Sequence, residues 1–357
     1  MKVAIVEPIP IDIALLGGGG VVFMNIIKTL KGRGHTIELH TPLRPSRFYS
    51  AIGNYIDKVI SYSLFRLYSP LIFRSPLFIF GTARLYLTSS YFKSFSNYDY
   101  SICTTYDELF GHFDLGYIHY PARKFFRTKD ITKVKKIVDL LNFITSFSFK
   151  DKTKRLLANS TYTAKLLHEK SGRSTEVLYP PVKPIHCKGE EKEDIVVSLG
   201  RIVEDKKYED VIYVARLLSD IKFVIIGRVQ DEHYYSELRR KSPPNVTFVT
   251  DASEEEKREI LCRSKVILHG KREEPFGIAV VEGMSAGNVP VVYKNGGTWL
   301  DIISEGKFGY GYERVEELPE LVRQALNDNK LRKEVRERAL MFSDDNFREK
   351  FLKITGL

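Results

Sequence analysis

The chain has 357 residues, 43% of them hydrophobic, and 55 Lys and Arg against 45 Asp and Glu give it a formal net charge of +10. That length is too great for one ordinary core and suits two domains of about 170 residues each, with ample apolar content for globular packing. The three cysteines, Cys103, Cys187 and Cys262, are odd in number, far apart and without a Cys-x-x-Cys pair, which argues against a disulfide framework or zinc site and for a reducing cytoplasm.

Residues 2–6, a lysine followed by four apolar residues, predict an opening strand rather than a leader, and no run of about 18 uncharged apolar residues follows. The expectation is a protein neither secreted nor membrane-spanning. Gly17, Gly18, Gly19 and Gly20 then precede a helical stretch over 21–31 and a strand over 35–40, a βαβ unit. A glycine loop between strand and helix can bring bare amides to a phosphate at the positive helix end, so the four glycines are candidate donor ligands.

From residue 61 to residue 150 there are 12 Lys and Arg against 6 Asp and Glu, and arginines such as Arg74 and Arg84 interrupt apolar, aromatic runs. Lys133, Lys135 and Lys136 lead into a second apolar run over 137–144. Basic plus aromatic composition predicts a surface that sits on anionic lipid. No motif points to nucleic acid. Within the same stretch, residues 100–105 and 115–120 read as short buried strands, and His119 stands at the end of the second. A further strand over 154–160, a helix over 161–170 and a strand over 176–179 close the first half. Residues 184–194, polar and charge-rich, read as a linker.

A second βα series then places strands over 194–200, 222–227, 246–249, 266–269 and 289–292, which predicts a parallel sheet wound on both faces. Gly200, Arg201 and Lys206 follow the first of these strands, at the carboxyl edge where such sheets bind ligands; Arg201 offers a planar fork and Lys206 a point charge to a diphosphate. Arg228 follows the next strand, where a nucleotide base is expected. Glu274 and Glu282 stand eight residues apart, a spacing that lets both acids share one face of a helix. Between them, Phe276, Gly277 and Ile278 open that helix, whose first N–H groups, over 277–280, suit a phosphate. Residues 342–353 read as a final amphipathic helix.

The ordered set Glu-x-Phe-Gly, second Glu, Ala-x-Gly-x-Pro-Val-Val and Gly296-Gly297 resembles the E-x7-E signature of retaining glycosyltransferases of GT-B family 4. With Ile118-His119-Tyr120-Pro121, Ala158-Asn159-Ser160 and Tyr179-Pro180-Pro181-Val182, it is similar to the branch that extends lipid-linked oligosaccharides with mannose. The resemblance covers chiefly residues 195–302.

It implies an α/β GT-B fold: two Rossmann-like, doubly wound parallel-sheet domains with a cleft between them. The acceptor domain would cover residues 1–183, the nucleotide-sugar domain 184–341, and the helix over 342–357 would cross back to the first domain. It implies retention, with His119 reaching the donor sugar, Arg201 and Lys206 holding the diphosphate, Glu274 on sugar hydroxyls and Glu282 on the ribose. The sequence departs from the family at Lys207 and Arg228, where relatives usually carry Gly.

No Asp-x-Asp follows a strand, so no metal or other cofactor is expected; the nucleotide-diphosphate sugar is a substrate. The implied partners are GDP-mannose or a UDP-sugar, a lipid-linked or saccharide acceptor and an anionic membrane surface, on its cytoplasmic face. A soluble glucosyltransferase of glycogen- or sucrose-synthase type is the enzymatic alternative. A catalytically silent nucleotide-sugar or membrane-binding relative is the non-enzymatic one, and it would have lost cations or acids that are all present here.

Overall fold

The computed structural model describes residues 1–9, 11, 15, 17–42, 49–61, 95, 97–105, 112–120 and 153–357. These form two compact units. The first comprises Met1–Asn159, Thr163–Pro180 and Phe347–Leu357, the second Ser160–Tyr162 and Pro181–Asn346. The basic, aromatic segment with Arg74, Arg84, Lys133, Lys135 and Lys136 lies outside the described residues. Among the described residues no helix is long and apolar enough to cross a membrane.

The first unit is built on a seven-stranded parallel sheet. Its strands are β1 (Lys2–Val6), β2 (Thr36–Thr41), β3 (Lys58–Ser61), β4 (Tyr100–Thr105), β5 (Leu115–Ile118), β6 (Arg155–Ala158) and β7 (Glu176–Val177), in the order β3-β2-β1-β4-β5-β6-β7. Strand β1 shows why a parallel strand reads as an unbroken apolar run: both its faces are covered. Val3 and Ile5 pack in one cluster with Phe23, Ile26 and Leu30 of α1 (Gly18–Gly32), whereas Ala4 and Val6 pack in another with Phe95, Cys103 and Phe113. The helices α2 (Tyr49–Ile52) and α3 (Thr161–Ser171) lie along this part of the chain. Phe347 and Phe351 of α10 (Asp344–Thr355), one turn apart and stacked 6.0 Å between centroids, are buried in the cluster that holds Val3 and Ile5.

The four glycines do not form the loop expected of them. Gly17 is the extended N-cap of α1, the Gly20 N–H donates to Gly17 O at 2.9 Å, and Gly18, Gly19 and Gly20 make the first helical turn. Glycine is a poor helix former, at about 1 kcal/mol each against alanine, but Gly19 and Gly20 are buried, and tertiary packing outweighs that preference.

The second unit has six parallel strands: β8 (Glu193–Leu199), β9 (Lys222–Ile226), β10 (Val246–Val249), β11 (Ser264–His269), β12 (Val289–Tyr293) and β13 (Tyr310–Tyr312), in the order β10-β9-β8-β11-β12-β13. The intervening helices are α4 (Tyr208–Leu217), α5 (Glu232–Lys241), α6 (Glu254–Arg263), α7 (Ile278–Ser285), α8 (Leu318–Asn327) and α9 (Asn329–Leu340). Alternation along β8 and β9 again divides two cores: Val196, Phe223 and Ile225 face one cluster, and Ile195, Val197, Val224 and Ile226 the other. The short strands β3 and β13 carry too few apolar residues to be read from sequence.

The cysteine reading is corrected here. Cys187 and Cys262, 75 residues apart, are joined in a disulfide, and Cys103 is buried and lies outside that bond. The cause is the strand order: Cys187 precedes β8, Cys262 precedes β11, and these strands are neighbours, so the two sulfurs meet although nothing in their spacing suggests it.

Candidate active site

In each sheet the chain leaves its first strand in two directions, with β1 lying between β2 and β4 and β8 between β9 and β11. Loops at the carboxyl ends of strands flanking such a reversal form a ligand crevice. In the second unit those loops follow β8 and β11. The first contains Gly200, Arg201 and a 3-10 turn over Glu204–Lys206, and it is closed by the Tyr208 hydroxyl donating to Gly200 O at 2.8 Å. Lys207 ends the turn in the left-handed region, φ 54° and ψ 48°, the conformation that glycine adopts without a side-chain penalty. The unusual residue thus keeps the turn of a glycine. The second loop presses against the first, since a Cβ on Gly270 would lie 2.7 Å from Lys207 O.

Where the loops meet, Glu274 is enclosed by donors. The Lys206 Nζ lies 2.6 Å from Glu274 Oε2 and the His269 Nε2 3.0 Å from the same oxygen, while the Lys271 Nζ lies 3.9 Å from Oε1 and 3.0 Å from Asp205. The Lys206 and Glu274 side chains are only 14% and 11% exposed. Burial by itself would raise the Glu274 carboxyl, but Lys206, Lys271 and the His269 hydrogen bond overcome it and hold the group well below the usual carboxylate range. Burial pushes His269 down, so it is a neutral imidazole that donates to Glu274. His269 and Lys271 were not read as site residues. Their only signal in the sequence is position, at and just beyond the end of an apolar strand.

The spacing of Glu274 and Glu282 has a different meaning from the one expected. Helix α7 starts at Ile278, so Glu274 lies in the loop before it and the two acids do not share a helical face. Glu282 is on the helix and pairs with Lys257 of α6 at 3.1 Å. Burial raises its carboxyl in spite of that lysine. Gly277 turns the chain into α7 at φ 108°, where a side chain would be strained and would also strike Thr298. Phe276 is buried edge-on against Phe342, 5.4 Å between centroids. Val280 N–H bonds back to Gly277 O at 3.0 Å, which leaves the groups before it, including that of Ile278, as the outward donors of the helix N-terminus. Gly296 and Gly297 cover Glu274 from behind: Gly297 N–H donates to Glu274 O at 2.7 Å, and a Cβ on Gly296 would lie 2.5 Å from that oxygen.

Arg201 and Arg228 are exposed, and Arg201 Nη1 donates to Gln230 Oε1 at 2.8 Å. His119, in the first unit just after β5, is buried beside Tyr117, 5.0 Å between ring centroids. Burial pushes it down to about 3, so it is neutral near pH 7. At the reversal of the first sheet lies an acid that sequence reasoning missed. Glu7, just after β1, shares a hydrogen bond of 2.5 Å with Thr104 of β4 and accepts from the Ile9 N–H at 3.1 Å, and burial raises it to about 8 against these bonds.

Among the described residues the one group of three metal-type ligands is Cys187, Glu190 and Cys262, two of which form the disulfide.

Residues 187–341 match the family model described as "Glycosyl transferases group 1". The GDP-Man:Man(3)GlcNAc(2)-PP-Dol alpha-1,2-mannosyltransferase of Mus musculus is 28% identical over 234 residues, 55% of this chain and 47% of that protein. The chain spans about half the length of the curated relatives it matches. Among solved structures, WaaG, a glycosyltransferase involved in lipopolysaccharide biosynthesis, superposes with a TM-score of 0.67 at 16% identity, covering 99% of this chain and 100% of that one. Anabaena Alr3699/HepE in complex with UDP and glucose does so with 0.67 at 16% identity over 100% of both chains. The chain therefore has the GT-B fold, with two parallel-sheet Rossmann-like units, and its second unit carries the pattern of the group 1 glycosyl transferases.

Proposed function

We propose that the protein is a retaining hexosyltransferase of GT-B family 4 that moves a sugar from GDP-mannose, or a UDP-sugar, to a lipid-linked saccharide or lipid acceptor at the cytoplasmic membrane face. The observation that carries this reading is the ion pair between Lys206 and Glu274 at the strand reversal of the second sheet, inside the stretch that matches the glycosyl transferase model. GDP-mannose is preferred because relatives similar in sequence are named for GDP-Man. The Cys187–Cys262 bond removes the cysteine argument for a reducing compartment, so the membrane face rests on the lipid-linked saccharide in those names.

In this reading Lys206 keeps one N–H on Glu274 and turns others to the donor diphosphate, with Arg201 beside it, and the α7 N-terminus faces the distal phosphate. Glu274, ionised and fixed, accepts hydroxyls of the hexose, Glu282 those of the ribose, and neutral His119 contacts the sugar near its anomeric carbon. Cleavage of the anomeric C–O bond passes its electron pair to the diphosphate, and the acceptor hydroxyl attacks from the same side, giving its proton to the departing diphosphate oxygen. The charge is met by Arg201, Lys206 and the helix, and turnover is expected to persist in a chelator.

Calorimetric titration with GDP, UDP and ADP, with and without a divalent ion, followed by turnover of GDP-mannose on a polyprenyl-diphosphate-linked saccharide, tests this. Binding of GDP with transfer of mannose supports the reading. Transfer of glucose from ADP- or UDP-glucose to a soluble glucan would favour the polymer-synthase alternative, and binding of no nucleotide would sink both.

A further inference from the structure

Glu274 has two oxygens, and the structure assigns them to different cations. Lys206 and His269 take Oε2, and Lys271 lies toward Oε1. Lys271 is 12% exposed and also reaches Asp205, the residue before Lys206, so it ties the loop after β11 to the loop after β8. Burial would lower its ammonium, but Glu274 and Asp205 raise it, so it is a standing positive charge.

A phosphate-binding Lys206 divides its donors between phosphate and carboxylate. A carboxylate held by that lysine alone would gain a proton more readily once the diphosphate drew the lysine away. We propose, resting on the reading above, that Lys271 is a positioning residue: it holds the second oxygen of Glu274 so that this carboxylate stays ionised and aimed at the donor hexose while Lys206 serves the diphosphate. The titratable and charged groups around Glu274 are Lys206, Asp205, Arg201 and Tyr208 from the β8 side and His269 and Lys271 from the β11 side. Of these, Lys271 is the cation whose ion pair with Glu274 runs to Oε1, at 3.9 Å.

The test compares Lys271→Met and Lys271→Arg in the full chain, using GDP-mannose turnover from about pH 3 to 8, GDP affinity, and urea unfolding over the same range. Lys271→Met should move the acidic limb of kcat up by about one pH unit and so lower turnover by about 10-fold at any pH on that limb. It should change GDP affinity by less than about 3-fold, and Lys271→Arg should restore the limb. The acid-induced loss of stability should begin about one pH unit higher in Lys271→Met, a readout that needs no turnover.

An acidic limb and a stability profile that stay in place would overturn the proposal. So would a loss of GDP affinity as large as that in Lys206→Ala, which would make Lys271 a phosphate ligand. Should Lys206→Ala retain full turnover, or the protein transfer no sugar, the functional reading fails instead, while the stability profile still decides the role of Lys271.

Discussion

A buried carboxylate stands at the strand reversal of each sheet, and the two are in different charge states. Glu7 follows the first strand of the first unit and Glu274 the strand beside the first strand of the second, each at a reversal of strand order. Both are buried. Glu274 is surrounded by Lys206, Lys271 and a donating His269 and is held ionised. Glu7 has a hydroxyl and one backbone N–H, and burial raises it to about 8. The position in the fold brings an acid to the crevice edge, and its neighbours decide whether it carries charge.

The sharpest way to break this contrast is Lys206→Ala. It leaves a buried carboxylate short of its closest cation, so stability should fall by about 4 kcal/mol in urea unfolding at pH 7 and turnover should be lost. A double-mutant cycle with Glu274→Gln should recover much of the stability but none of the turnover. A turnover near that of the parent would mean that the pair is structural.

The two acids should also give stability slopes of opposite sign. Glu274, depressed when folded, contributes stability that is present above 4.5 and is lost as pH falls through its folded value. Glu7, raised from 4.5 to about 8, keeps a proton in the folded state that the unfolded chain gives up, so its contribution is present below 4.5 and lost as pH rises to about 8. Glu7→Gln keeps the shape and cannot ionise. Unfolding at pH 8 should find the variant about 3 kcal/mol more stable than the parent, with little difference at pH 4.5. Equal stabilities at pH 8 would show that Glu7 is ionised like Glu274.

Smaller changes probe what holds the charged edge in place. Cys262→Ser opens the 75-residue link to Cys187 and should cost about 2 kcal/mol in urea unfolding without reductant; an equal midpoint would show that the bond is not formed in solution. Lys207→Gly relieves a left-handed residue and should stabilise the second unit by about 1 kcal/mol. A lower melting temperature would mean that the Lys207 side chain contributes more than its backbone strain costs.

Some of this organisation was legible in the residues. Periodicity and β-branched runs marked most of the strands, because a parallel strand is covered on both faces and its composition shows it. Motif order pointed to Lys206 and Glu274, which the fold brings together, and also to Arg201 and Glu282, which bond Gln230 and Lys257 instead. The short strands β3 and β13 carry too little apolar signal, and the glycines before α1 read as a loop because local propensity opposes the helix that packing enforces.

What one chain determined by itself, then, is the alternation of strands and helices and which loops carry charge, since both depend on near neighbours in sequence. The tertiary structure alone decided which charges meet. The pairing of Lys206 with Glu274 across 68 residues, of Lys257 with Glu282 across 25, of Glu7 with Thr104 across 97 and of Cys187 with Cys262 across 75 depends on strand order, which no local pattern encodes. Charge states follow from those meetings, because burial and an adjacent cation push a carboxyl in opposite directions and only the folded chain says which of them it has.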